Sequence, residues 1–207
     1  MSDLRKYYDA TAEETAKEWY PNTVLLPTLR ELVALLPRRP RVLDLGCGAG
    51  YESMRLHSLG AEIVGIDFSP ESIRIAKEKN PECRFMVADF LEIDESFGNF
   101  DGVFASGSLI HVPPEKMEIL ASRVCPRITS RGVFEMIVRG GQGKRVMNHI
   151  VKGASYERTV FFHSLEGLKA VFGNHGLKYL RDGALDSGLA SHGWECHIFI
   201  QSQAPDS

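Results

Sequence analysis

The residues with chemistry to offer are a few acids, aromatics and glycines at telling intervals. Leu43-Asp44-Leu45 runs into Gly46-x-Gly48-x-Gly50, and Tyr51-Glu52-Ser53 follows at once. Three glycines in five positions make a turn where no side chain keeps a ligand from the backbone. A helix starting there presents free N–H groups to polar or anionic ligand atoms. Asp67 stands about 20 residues further on, the interval at which an acidic group takes up ribose-type hydroxyls. A carboxylate suits that task because it accepts two hydroxyl hydrogen bonds at once. Asp89 is a third such acid, with Phe90 beside it. His111 is the obvious proton carrier of the 106–111 stretch, and Tyr8 belongs to an N-terminal group with Tyr7, Trp19 and Tyr20. Each has a plainer reading: Asp67 and Asp89 as caps, His111 as a hydrogen-bonded structural group, the aromatics as packing.

The elements that must position these groups alternate. Val42, Leu43 and Leu45 form a short strand with little exposed face, as in parallel sheets covered on both sides. Ala61 to Asp67 is a second strand, and Ser69-Pro70 opens a helix. Cys83 to Phe90 is a third strand, Asn99 to Ala105 a fourth, Lys116 to about Thr129 a helix, and Arg131 to Val138 a fifth strand. Ahead of them, a helix from about Asp3 to Lys17 stops at Pro21-Asn22. A second, capped by Thr23, ends at Pro37. Residues 139 to about 156 are glycine-rich and basic and read as a long flexible loop. A short strand at 157–163, a helix capped by Ser164 and two last strands (177–182 and 194–201) complete the chain.

The run x-Leu-Asp-Leu-Gly-x-Gly-x-Gly, with Asp67 and Asp89 downstream, resembles the class I S-adenosylmethionine-dependent methyltransferases, in particular small ones acting on small molecules. A dinucleotide fingerprint would need a third glycine where Tyr51 stands. The resemblance covers nearly the whole chain. It implies an α/β, doubly wound, Rossmann-like sheet of seven strands, mostly parallel with an antiparallel C-terminal hairpin and helices on both faces. It further implies S-adenosyl-L-methionine as cofactor and S-adenosyl-L-homocysteine as product. On that resemblance Asp44 orients the loop Gly46, Cys47, Gly48 and Gly50. Asp67, Phe68 and Ser69 meet the ribose and adenine. Asp89 accepts from the adenine amine while the Phe90 amide meets a ring nitrogen. Ser106 and the residues to His111 border the methyl group, and an N-terminal helix carrying Tyr7 and Tyr8 closes over it. The base, if the acceptor needs one, is His111, Tyr8 or nothing.

One domain over 1–207 is expected, with 1–37 as a helical lid and 139–163 as a substrate-side insertion. The chain is long enough, at 207 residues and 43% hydrophobic composition, for one well-buried domain. A net charge of -3 argues against nucleic acid or anionic membrane as partner. Four scattered cysteines without a C-x-x-C pair argue against a metal site, and for reduced thiols in the cytoplasm. No signal-peptide core or spanning run is present. After the fourth strand there is no Asn/Asp-Pro-Pro-Tyr tetrad and no Pro-Cys nucleophile, and the paired glutamates of protein arginine methylation are missing. The expectation is therefore methyl transfer to an O, N or S atom of a small molecule, with oligomeric state open. Two rivals remain: an NAD(P)-dependent oxidoreductase on a related fold, and a non-catalytic S-adenosylmethionine-binding protein.

Overall fold

Short apolar runs separated by amphipathic ones build the centre of the molecule, seen in a computed structural model that describes residues 2–202. The runs become β1 (Arg41–Leu45), β2 (Glu62–Asp67), β3 (Arg84–Val87), β4 (Phe100–Ser106) and β5 (Ile128–Arg139). Together with β8 (Leu177–Asp182) and β9 (Trp194–Gln201) they form a seven-stranded sheet in the order β3-β2-β1-β4-β5-β9-β8. The first five are parallel, and β9 runs antiparallel to both β5 and β8. The order reverses between β1 and β4, where the carboxyl ends of the strands leave a crevice for a ligand.

Strand alternation sends side chains to two cores. Leu43, Leu45, Val103, Ala105, Phe134 and Met136 face α5 (Met117–Val124) and α6 (Leu165–Asn174). Val42, Phe104, Val133 and Ile137 face α2 (Leu26–Leu35) and Leu56 of α3 (Tyr51–Ser58). Phe172 of α6 sits edge-on to Phe134 at 5.3 Å and against Phe199 at 5.6 Å, which fixes that helix on the antiparallel end of the sheet. The helix α1 (Ser2–Trp19) lies outside these layers, against α4 (Pro70–Lys79) and the hairpin described below. Among the described residues no helix is long and apolar enough to cross a membrane.

Several local expectations need correcting. Thr23 does not cap α2; Asn22 Oδ1 accepts from the Val24 N–H at 2.9 Å, and the helix begins at Leu26 with Pro27 in its first turn. The third strand stops at Val87, because Asp89 turns the chain into a short helical turn (Phe90–Glu92) by accepting from Leu91 N. The helix after the fourth strand ends at Val124. Pro126 follows, and β5 already begins at Ile128. The stretch read as a flexible basic loop is a regular hairpin of β6 (Lys144–Val151) and β7 (Ala154–Phe161), turned by Lys152-Gly153, both at positive φ. Its β-branched and aromatic residues, spread among glycines and charges, hid the period of two. The last connection also holds a short helix, α7 (Ser187–Ser191), capped by Asp186.

Glu135 interrupts the apolar run of β5 and is fully buried, with Cys196 Sγ 3.3 Å from Oε1 and no partner on Oε2. Burial pushes its carboxyl up to about 8. A raised folded-state value means stability that is full at acidic pH and drains as pH climbs through about 8. Glu135→Gln is therefore expected to flatten the fall in melting temperature between pH 6 and 8 relative to wild type. Parallel slopes in a pH series of thermal melts would contradict this.

Candidate active site

At the β1/β4 reversal lies a cavity of about 240 Å³. Its floor is the turn after β1. Gly46 has φ +72° and an added Cβ there would stand 2.4 Å from the Ser108 Cβ, so only glycine lets the β1 turn close on the turn after β4. Ser108 Oγ, in return, donates to the Leu45 carbonyl at 2.6 Å. Gly50 has a different task. It ends the turn at φ +82°, where a Cβ would strike Asn80 of the α4 end at 2.9 Å and Ala76 at 3.0 Å.

Three amides of the turn are already spent on acceptors from β2. Gly46 N and Cys47 N both donate to the Ile66 carbonyl, at 2.8 and 3.0 Å. Gly48 N donates to Asp67 Oδ2 at 3.0 Å, and Ser69 N to Oδ1 at 2.8 Å. What faces the cavity is acidic: Asp44, Glu52 and Asp67 line it, and among the described lining residues there is no lysine or arginine. Burial pushes Asp44 up to about 7 despite a 2.6 Å hydrogen bond from Ser53 Oγ. Burial likewise raises Glu52 to about 7, against the pull of Arg55, and Asp67 to about 6, against its two backbone amides. Such a wall disfavours a pyrophosphate and favours a ligand carrying positive charge.

One face of α1 covers the cavity. Tyr8, Thr11, Ala12, Thr15 and Trp19 line it, at the spacing of one helical stripe. The helix is held at both ends. Arg55, buried beside Glu52, donates to the carbonyls of Trp19 and Tyr20 at 2.8 and 2.9 Å and to that of Asn22, a cation set on a helix C-terminus. Tyr20 Oη donates to the Ala49 carbonyl at 2.7 Å. Nearer the N-terminus, Asp9 accepts from Ser69 Oγ at 2.6 Å at the start of α4. Tyr8 Oη lies 2.6 Å from His111 Nε2, and His111 Nδ1 lies 3.2 Å from the Thr159 carbonyl.

The family model described as "Methyltransferase domain" matches residues 42–132, the stretch that builds this floor. A magnesium-protoporphyrin O-methyltransferase of Rhodobacter capsulatus is 43% identical over 76 residues, 34% of this chain and 33% of that protein. A ubiquinone biosynthesis O-methyltransferase of Xanthomonas oryzae pv. oryzae is 34% identical over 97 residues, 44% of this chain and 39% of that protein. The chain thus matches well under half the length of either relative. The solved structure of a DhpI–SAH complex is 21% identical, covers 98% of this chain and 97% of its own, and superposes with a TM-score of 0.79. Residues 42–132 thus carry a methyltransferase domain, and the whole chain shares the fold of the DhpI–SAH structure.

In this structure the residues singled out from sequence fall into two groups. Asp44, Gly46, Cys47, Gly48, Asp67, Phe68, Phe90 and Ser106 line the cavity, as do Tyr8 and His111. Gly50, Ser69 and Asp89 do not: Gly50 packs the turn, Ser69 Oγ accepts from Ser72 N and binds Asp9, and Asp89 accepts from Leu91 N at 2.9 Å. No residue of 139–163 lines the cavity; the hairpin reaches it at one remove, through the Thr159 carbonyl on His111 and Arg158 near Tyr8. Glu52 also lines the cavity and was not picked out as a site residue. The one signal for Glu52 was an acid in the first turn after the glycines, three residues before Arg55. These residues fit a cationic nucleoside. Asp67 has spent one lone pair of each oxygen on backbone amides, and Phe68 and Phe90 line the same cavity.

Proposed function

We propose that the protein transfers a methyl group from S-adenosyl-L-methionine to an oxygen of a small molecule, leaving S-adenosyl-L-homocysteine. The observation that carries this is a cavity at the strand-order reversal walled by three carboxylates, with the loop amides turned into β2. Two relatives named as O-methyltransferases favour oxygen among the possible acceptor atoms. In this reading Asp67 takes the ribose hydroxyls, Phe68 and Phe90 the adenine, and Ser106 and Gly46 border the sulfur. Residues 1–37 act as a lid on the single domain 1–207. The segment 139–163 supports the substrate side, and the four free cysteines suit the reducing cytoplasm.

When bound, the cofactor supplies an electrophilic methyl carbon on a sulfonium. The chain's own work is to place the acceptor in line with that bond, keep water out and take a proton. A carbonyl only accepts, so His111 Nδ1 carries the hydrogen toward Thr159, and Nε2 is left to accept from Tyr8 Oη–H. Burial holds His111 down at about 4, neutral at pH 7, and Tyr8 up at about 12. An acceptor hydroxyl against Tyr8 Oη can then pass its proton to Tyr8 as Tyr8 passes its own to Nε2. With its proton relayed to Nε2, the acceptor oxygen is free to take the methyl group that the cofactor would supply, and the imidazolium holds the proton.

Thermal-shift and calorimetric titrations with S-adenosylhomocysteine and NADH test the cofactor, and methyl transfer to a panel of hydroxylated small molecules tests the reaction. Stabilisation by the homocysteine nucleoside alone, with turnover on a hydroxyl acceptor, is expected. A preference for NADH, or binding without turnover across the panel, would favour the rival readings.

A further inference from the structure

Glu52 is the second residue of α3 and only 4% exposed. Its Oε1 lies 3.3 Å from Arg55 Nη1, but its Oε2 is buried with no hydrogen-bond partner. Arg55 does not reach that second oxygen with a hydrogen bond: Nη1 donates to the Tyr51 carbonyl, and Nη2 holds the three carbonyls that end α1 and begin the next turn. In a cavity wall, a buried acceptor of this kind is open to a donor that arrives with a ligand. Glu52 lines the same cavity as Asp67 and Phe68. It stands near the Trp19 end of the covering helix, whereas Phe68 meets Tyr8 at 5.7 Å, eleven residues or ~16 Å back along it. A nucleoside held at Asp67 and Phe68 therefore extends its other end toward Glu52.

We propose that Glu52 is the counter-ion of the α-ammonium group at the amino-acid end of the cofactor, and so selects aminoacyl nucleosides over bare thionucleosides. This rests on the cofactor reading above. The carboxylate sits in the first turn of α3, where the helix N-terminus favours an anion, and Arg55 holds one of its oxygens in place while the other faces a cation. Because Arg55 also grips the end of α1, the ammonium and the covering helix meet at the same side chain.

The test is calorimetric titration of the full chain, wild type and Glu52→Gln, with S-adenosylhomocysteine and with 5′-methylthioadenosine, which lacks the amino-acid end. Glu52→Gln is expected to weaken the homocysteine nucleoside about tenfold or more while methylthioadenosine stays within about twofold, which also shows the variant folded. Equal losses for both ligands, or no loss for either, would overturn the assignment. If the variant does not fold, wild type decides. A deaminated S-adenosylhomocysteine analogue binding about tenfold more weakly than the parent supports the pairing, and equal binding refutes it. Failure of both nucleosides to bind wild type would instead sink the cofactor reading, and this one with it.

Discussion

Asp67→Ala is expected to weaken S-adenosylhomocysteine binding by roughly ten- to a hundredfold, measured by calorimetry at pH 7.5. Two losses add. The ribose hydroxyls lose a charged acceptor, an interaction worth about 1.5–3 kcal/mol. The N–H groups of Gly48 and Ser69, now bonded to the two oxygens at 3.0 and 2.8 Å, also lose their acceptor, so the turn beneath the ligand loosens. Asp67→Asn keeps an oxygen for one amide and should fall between. The pH dependence has a defined sign. Burial raises the ligand-free carboxyl to about 6, so below that pH it is protonated and a poorer acceptor for hydroxyls. Affinity is expected to drop between pH 7 and 5 in wild type and less steeply in Asp67→Ala. Unchanged affinity in the alanine variant would remove Asp67 from the site.

Tyr8→Phe is expected to lower kcat on a hydroxyl acceptor by roughly a hundredfold or more, the span general base catalysis contributes, with little change in cofactor affinity. The ring keeps its edge contact with Phe68, but the proton path from acceptor to His111 is cut. His111→Gln should cost about as much. The double variant should be no worse than either single one, because the two side chains act as one unit. Additive losses would mean that they work separately. A Tyr8→Phe enzyme with wild-type turnover would make the pair a fastening for α1 and nothing more.

How far the sequence reached depended on the distance over which each feature is decided. The glycine turn and the place of Asp67 beside it were legible because β1, the turn and β2 are consecutive, and backbone conformation and strand ends set both. Asp89 shows the limit: an acid at a strand end followed by an aromatic reads the same whether it faces a ligand, caps its own turn, as Oδ1 does at Leu91 N, or does both with its two oxygens. Gly50 and Ser69 likewise carried the right residue type, but their neighbours Asn80 and Asp9 come from elements 30 and 60 residues away.

The sequence by itself determined the alternation of strands and helices, the reversal that opens a crevice after β1, and the acids near it, since periodicity and turn chemistry act over a few residues. Only the tertiary structure decided that the loop amides bind Ile66 and Asp67 rather than a ligand. It alone set Tyr8 against His111 across 103 positions, folded the basic stretch into a hairpin whose Thr159 carbonyl fixes the imidazole, and left one oxygen of Glu52 buried without a partner. These depend on which groups meet when distant segments pack, and desolvation there sets which of them hold charge.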